Sequence, residues 1–439
     1  MSTSHVSRRT LLKGFGATGI GLALAACTVP VGAPQQAEGG AAEPVSISLW
    51  GWWDLRMNVY EQAAQSFMEA NPDVEVVVET LPGGDELQQK VYSALAANTG
   101  PNMLKMSEVF FQMRKEDLLL PFPEDVFPDE WFTENYPSVD WEAYGRYVVP
   151  TAVCGTILVY NKRMFEEAGL DPDTPPTTWD EFIEAAKATT QSDNSGITRA
   201  GFIPASEYPG LNQLYQVGGG FVSGEGDSKV ATLDSPEAER AFQYMADLAL
   251  VHGVWDPAYP DNLESVGTGL AAMTEDQAWV IGEYANTYAD IYPELGFATN
   301  PTPTGKPDPY YGYKSTVLSV SALRGREEEY PATFRFIEHL YKDAGQDIYR
   351  QLAELLSCAP ARADLAEDPT ILENEGLAKV VEVIPFEKDP VQPPPEMYTL
   401  WADSLMRIVM EGAPVASELV QLNEQLQGLI DQGLADYLR

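Results

Sequence analysis

Two periodicities alternate along the chain after an apolar N-terminal run. In "VSISL" (45–49), Val45, Ile47 and Leu49 alternate with serines, the period-two pattern of a strand. Leu55, Val59, Ala63 and Phe67 then recur every four residues, so a helix capped by Asp54 is predicted to about Ala70, ending before Asn71-Pro72. "VEVVVET" (74–80) returns to the strand pattern. A strand, a helix and a strand within about thirty residues make a βαβ unit and hence a parallel sheet. "DELQQKVYSALAAN" (85–98) reads as the next helix and "NMLKM" (102–106) as the next strand. Ligands of open parallel sheets bind beyond the carboxyl ends of the strands. Trp50, Trp52 and Trp53 stand at that edge of the first strand, and Glu108 at the matching edge of the later one.

The pattern resumes after an interruption. "GTILVYNKRMFEEAGL" (155–170) reads as a strand and a short helix ending at Gly169. "TTWDEFIEAAKATT" (177–190) offers Thr178 as a cap and sets Trp179, Phe182, Ile183 and Ala186 on one face, which assigns Trp179 to a core. "ITRAGFIP" (197–204), "LAAMTED" (270–276) and "TVLSVSA" (316–322) read as strands. Helices are predicted over 235–253, from 277 to 288, as a pair over 328–352, and as two or three more over 396–437. The whole is α/β with more than one sheet.

The N-terminal run reads as an address. "SRRTLLKG" (7–14) sets paired arginines before the small apolar stretch 14–26, which is too short to span a bilayer. The Ser-Arg-Arg-x-Leu-Leu-Lys pattern resembles a twin-arginine export signal, and "LAAC" (24–27) resembles a lipobox, where Cys27 would be lipid-modified. Residues 1–26 are therefore expected to be a signal peptide, with 27–44 a Pro-, Gly- and Ala-rich tether. A folded body starting near Val45 would lie outside the cytoplasm, where a disulfide is chemically allowed.

Charge narrows the partners. Sixty-six Asp and Glu against 27 Lys and Arg give a net charge of −39. Such a surface repels phosphate backbones, so nucleic acid is excluded as a partner. The three cysteines and three histidines are scattered without zinc or haem spacing, and neither a Walker-type loop nor a GxSxG elbow occurs. No metal, no cofactor and no enzymatic activity are expected.

Several blocks together resemble one family. "GTILVYNKRMFEEAGLDPDTPPTTWDEFIEAAK" (155–187), "LAAMTEDQAWVI" (270–281), "FATNPTPTG" (297–305) and "FRFIEHLYKDAGQDIYRQLAELLSCAPAR" (334–362) are similar, in this order, to segments of the family 1 extracellular solute-binding proteins, the maltose-binding-protein-like receptors of ABC importers. The resemblance implies a type II periplasmic-binding-protein-like fold: two lobes, each a mostly parallel sheet flanked by helices, joined by two or three hinge crossings. It implies an N-lobe of 45–152 and 310–357 and a C-lobe of 153–309 and 358–439, with crossings near 150–155, 307–314 and 356–362. It also implies capture of a solute between the lobes and delivery to a permease, by a protein expected to be monomeric.

Within that expectation the candidate ligand residues have the chemistry a sugar requires. Aromatic rings cover its apolar C–H faces, and polar side chains bond its hydroxyls. Trp52, Trp53 and Glu108 come from the N-lobe strand ends, with Trp50 expected to be buried behind them. Glu207 and Asn212, with Gln213, follow a strand of the other lobe. Trp279 and Trp401 match positions of ligand-facing aromatics in the family, while Tyr311, Tyr313 and Arg362 fall at the second and third crossings. At the first crossing, where sugar receptors of the family often place a polar or aromatic ligand residue, this chain has Cys154. Crossing strands run side by side in the family fold, so a Cys154–Cys358 disulfide across the hinge is expected. Receptors of this kind also take polyamines or other cations, glycerol phosphate and ferric iron, the last suggested by Tyr310-Tyr311. A secreted glycoside hydrolase would need a marked carboxylate pair.

Overall fold

The structure is a computed structural model that describes residues 43–433, apart from residues 53, 83–84, 106–108, 138, 140, 206–207, 225–227, 366–367 and 390–394. The expected signal peptide, most of the tether, and Cys27, Trp53, Glu108 and Glu207 lie outside the described residues.

The first lobe is built on a five-stranded sheet. Val45–Trp52 pairs in parallel with Val74–Leu81 on one side and Met103–Lys105 on the other. Val320–Leu323 runs antiparallel beside Met103–Lys105, and Leu119–Leu120 closes the edge. Ile47 and Leu49 are buried in the sheet. The helix Asp54–Ala70 lies against it through Met57, Tyr60, Ala63, Ala64 and Phe67, all buried. This is the heptad-like stripe a helix needs to cover a sheet.

The second lobe centres on Thr156–Asn161, six consecutive buried residues flanked by Met273–Gln277 and Leu295–Ala298. Here the mostly parallel pairing expected of each lobe gives way: Thr156–Asn161 is antiparallel to both neighbours. The reason is the route of the chain. Thr156–Asn161 leaves the hinge edge directly after Gly155, whereas Met273–Gln277 returns to that edge and ends with Gln277 opposite Thr156. Helix Trp179–Thr189 opens with the capping box of Thr178 and Glu181, and Pro236–Leu250 with the Ser235 cap. The C-terminal tail forms two helices, Pro395–Glu411 and Val415–Asp431.

Between the sheets sits a small one of three strands. Pro150–Cys154 is central, with Ser315–Leu318 and Ala359–Pro360 antiparallel on its two sides. Three chain passages thus meet side by side, the middle one slightly downstream of the expected 307–314. The stretch 316–322 is two strands: the chain breaks at Ser319 and moves from this hinge sheet into the first-lobe sheet. The break is held by polar contacts in the core. Ser319 Oγ lies 2.7 Å from Tyr60 Oη, and the Val320 backbone N–H donates to Tyr341 Oη at 2.8 Å.

Cys154 and Cys358 are disulfide-bonded, with Cα atoms 4.7 Å apart and a sequence separation of 204. The bond links the central hinge strand to the approach of the third. Closing so long a loop restricts the unfolded chain strongly, so replacing both cysteines by alanine is expected to lower the unfolding free energy by about 2–5 kcal/mol. Denaturant unfolding without reductant measures this; equal midpoints for the variant and the parent would refute it.

Candidate functional site

A small pocket opens at the hinge-proximal edge of the second lobe. Thr156 begins the strand leaving the hinge, Glu275 and Asp276 lie near the end of the strand returning to it, and Tyr313 precedes the second crossing. Asn212 and Gln213 come from the short helix Leu211–Gln216. Phe202, Pro204, Tyr208 and Met245 supply an apolar wall. The pocket therefore has one greasy side and one side of hydrogen-bonding groups, an arrangement suited to a polyhydroxylated ligand.

The polar side is wired together. Gln213 Nε2 donates to Glu275 Oε2 at 2.6 Å. Asn212 Oδ1 accepts from the Tyr313 backbone N–H at 3.3 Å and lies 2.9 Å from Thr156 Oγ1. Asn300 Nδ2 donates to the same Thr156 oxygen at 2.9 Å. Gly312 allows this approach, because a Cβ there would collide with Asn212 Oδ1 and Thr156 Oγ1. Glu387, on the strand Glu387–Lys388 paired with Gly312–Tyr313, accepts through Oε1 from the Thr156 backbone N–H at 2.7 Å.

Both carboxyls are held away from water. Burial pushes Glu275 up to about 7, against bonds from Gln213 and Asn212 that favour the charged form. Burial likewise pushes Glu387 up to about 8, opposed by the Thr156 N–H and hydroxyl and by Lys314.

The structure distributes the expected ligand residues unevenly. Asn212 and Tyr313 line the pocket. Trp279 is half-buried at the start of the helix Trp279–Thr287, and the preceding Ala278 N–H donates to the Gly155 carbonyl, which fixes it beside the hinge. Tyr311 is half-buried against Phe386, and its carbonyl accepts from Gln216 Nε2 at 2.6 Å. In the first lobe Trp52 is half-buried, with the Arg56 guanidinium 5.5 Å from its ring centre, while Trp50 is buried beneath Lys90. Trp179 is a core residue: it stacks on Tyr244 at 4.0 Å and donates to Gln216 Oε1.

Two candidates are corrected. Trp401 does not face a ligand. It is fully buried, donates through Nε1 to the Pro209 carbonyl at 2.9 Å, and packs on Phe242 and Phe221. Its helical spacing with Leu405 places it in the core, where it backs the Tyr208–Gly210 wall. Arg362 is also structural. Its guanidinium pairs with Asp364, donates to the Tyr341 carbonyl at 3.2 Å and lies over the Tyr349 ring. Those partners use its charge and donors within the first-lobe core.

Thr156, Glu275 and Glu387 were not legible as site residues. Glu275 carries the one available signal, a carboxylate that follows the buried Met273 and Thr274 in a short strand.

The fold that these sheets and crossings define is that of the two-lobed, type II periplasmic binding proteins. The crystal structure of the cyclic alpha-maltosyl-1,6-maltose binding protein from Arthrobacter globiformis superposes with a TM-score of 0.72 at 20% identity, covering 89% of this chain and all of that one. The chain belongs to the bacterial extracellular solute-binding protein family, whose model matches residues 55–347. It is 25% identical over 357 residues to the arabinooligosaccharide-binding protein of Halalkalibacterium halodurans, covering 76% of this chain and 75% of the relative. It is 22% identical over 351 residues to the maltotriose-binding protein of Pyrococcus abyssi, covering 77% and 70%.

The raised Glu275 carboxyl has a consequence for stability. Between the ordinary value of 4.5 and about 7 the folded protein holds a proton that the unfolded chain has released. Its contribution is therefore complete below the lower value and is lost as pH rises through the upper one. Glu275→Gln is expected to reduce the fall in unfolding free energy between pH ~5 and pH ~8 by about 1–3 kcal/mol. Urea unfolding at both pH values checks this, and an unchanged difference would count against a buried, proton-holding Glu275.

Proposed function

We propose that this protein is the lipid-anchored, extracytoplasmic receptor of an ABC importer and captures a sugar or oligosaccharide between its lobes. The observation that carries the reading is the hinge-edge pocket, with Phe202, Tyr208 and Met245 on one side and Asn212, Gln213, Glu275 and Asp276 on the other. A pyranose has the same division, with apolar C–H faces and a polar rim. The oligosaccharides named for two relatives support this ligand class. Closure of the lobes would bring Trp52 toward Trp279 and would exclude water from the bonded hydroxyls. Tyr311 and Tyr313 would complete the rim, and Trp53, Glu108 and Glu207 stay ligand candidates from the sequence alone. Export by the twin-arginine signal and acylation of Cys27 would hold the receptor at the membrane, where a permease takes over the solute.

Titration with arabino-oligosaccharides and maltodextrins is expected to change the tryptophan fluorescence. Trp52→Ala and Trp279→Ala should each weaken binding about tenfold or more while the protein stays folded, because a stacked ring contributes on the order of 1–2 kcal/mol. Trp401→Ala and Trp50→Ala should instead cost about 3–5 kcal/mol of stability. Silence across the whole panel in calorimetry would sink the sugar reading. Mass spectrometry of the mature N-terminus tests the anchor separately, since an unmodified Cys27 rules it out.

A further inference from the structure

Thr156 Oγ1 has one proton and two acceptors. It lies 2.8 Å from Glu387 Oε1 and 2.9 Å from Asn212 Oδ1. Asn300 Nδ2 already donates to the oxygen, so the hydroxyl must choose where to send its proton. The Asn212 end is fixed, because only a carbonyl oxygen can accept from the Tyr313 backbone N–H. Asn212 lines the pocket beside Gln213 and Glu275. A continuous chain thus runs from Glu387 through Thr156 to Asn212 and the Tyr313 backbone.

We propose that Glu387 is a positioning residue for the ligand pocket: its charge state sets which way the Thr156 hydroxyl points, and so how firmly Asn212 is held in the pocket wall. When Glu387 is ionised, its Oε1 is the stronger acceptor and takes the hydroxyl proton. When Glu387 is neutral, the hydroxyl turns to Asn212 Oδ1. That bond polarises the amide and strengthens its donation to a ligand in the pocket. The pocket is then pre-organised for its ligand, and affinity is higher.

The surroundings suit a carboxyl that changes charge. Glu387 is buried, and its Oε2 has no hydrogen-bond partner among the described residues. A Cβ on Gly155 would collide with that oxygen, so the hinge backbone passes directly against it. Lys314, following the paired strand Gly312–Tyr313, is the charged group that acts on Glu387 and favours its ionised form. Thr156 on the crossing strand and Val383 on the helix Glu375–Val383 do not titrate. Glu275 is the other carboxyl raised by burial among the described residues, and it changes charge in a lower range than Glu387.

The proposal rests on the pocket being the ligand site, so the test separates the two. In the ligand-free protein carrying Glu275→Gln, which removes the neighbouring carboxyl raised to about 7, the Thr156 amide and the Asn212 side-chain amide are followed by NMR from pH ~6 to pH ~10. Both resonances are expected to move with a common midpoint near 8 and to stop moving when Glu387→Gln is added. Thr156→Val, which keeps the side-chain shape, should leave the residue-156 amide titrating and the Asn212 amide still; it carries the test should the Glu387→Gln variant fail to fold. Asn212 resonances that stay fixed in the Glu275→Gln protein, or that keep titrating when Glu387→Gln is added, overturn the relay. Maltotriose binding, measured over the same range, should weaken several-fold as pH rises through the midpoint in the parent and not in Glu387→Gln. Binding that is independent of pH in the parent overturns the link to the pocket. Absence of binding by maltotriose and arabino-oligosaccharides at every pH overturns the sugar reading and leaves the relay to be decided by the resonances.

Discussion

The three-stranded hinge sheet is the constraint on which the rest of the molecule depends. Two lobes that close on a ligand must bend where they join without exposing unpaired backbone groups. This chain meets that condition by passing between the lobes three times and pairing the passages, with Pro150–Cys154 bonded to Ser315–Leu318 on one side and Ala359–Pro360 on the other. The backbone groups are satisfied within the sheet. The cysteine pair and the Tyr60–Ser319 and Tyr341–Val320 contacts then tie its strands to both a neighbouring crossing and the first-lobe core.

The pocket lies where that constraint is most tightly felt. Thr156 is the first residue of the second-lobe sheet and the second after the bonded Cys154. Its hydroxyl and N–H are shared among Glu387, Asn212 and Asn300, so the groups that would meet ligand are also groups that fix the hinge. Buried polar groups are costly unless paired. Any shift of the crossing strand therefore changes the pairing inside the pocket, and any ligand that takes up pocket hydrogen bonds acts back on the strand. Coupling between binding and closure needs no longer path than these few contacts.

The fold was more legible in the sequence than the site, and the reasons are physical. Helices such as Trp179–Thr189 and Pro236–Leu250 declare themselves through local features, a cap and a four-residue apolar stripe. The reversal of direction at Thr156–Asn161 does not, because a strand's own pattern is the same whichever way its neighbours run. Ser319 was hidden within a single β-like run for the same reason: the switch of sheet depends on Tyr60 and Tyr341, far away in sequence. Trp401 shows the limit for site residues. An aromatic on an amphipathic helix fits a core and a cleft equally well, and only the Pro209 carbonyl and the Phe221 and Phe242 rings decide between them. Glu275 and Glu387 were obscured among 66 acidic residues, most of them ordinary surface groups by their chemistry.

That acidic surplus also bears on what the pocket can hold. With a net charge of −39, the long-range field opposes the approach of an anion. The described residues lining the pocket include Glu275 and Asp276 and no lysine or arginine to compensate. A phosphate would have to enter against both, without the guanidinium or ammonium partners that usually bind it. A cation would be drawn by the field, yet burial holds Glu275 near neutrality against the pull of its amide neighbours, which weakens it as a counter-ion. An uncharged polyol meets neither difficulty. Its hydroxyls can donate to Glu275 in either charge state, its C–H face can rest on Phe202 and Tyr208, and its approach is indifferent to the field. The electrostatics of the surface and of the pocket thus select the same ligand class as the shape does.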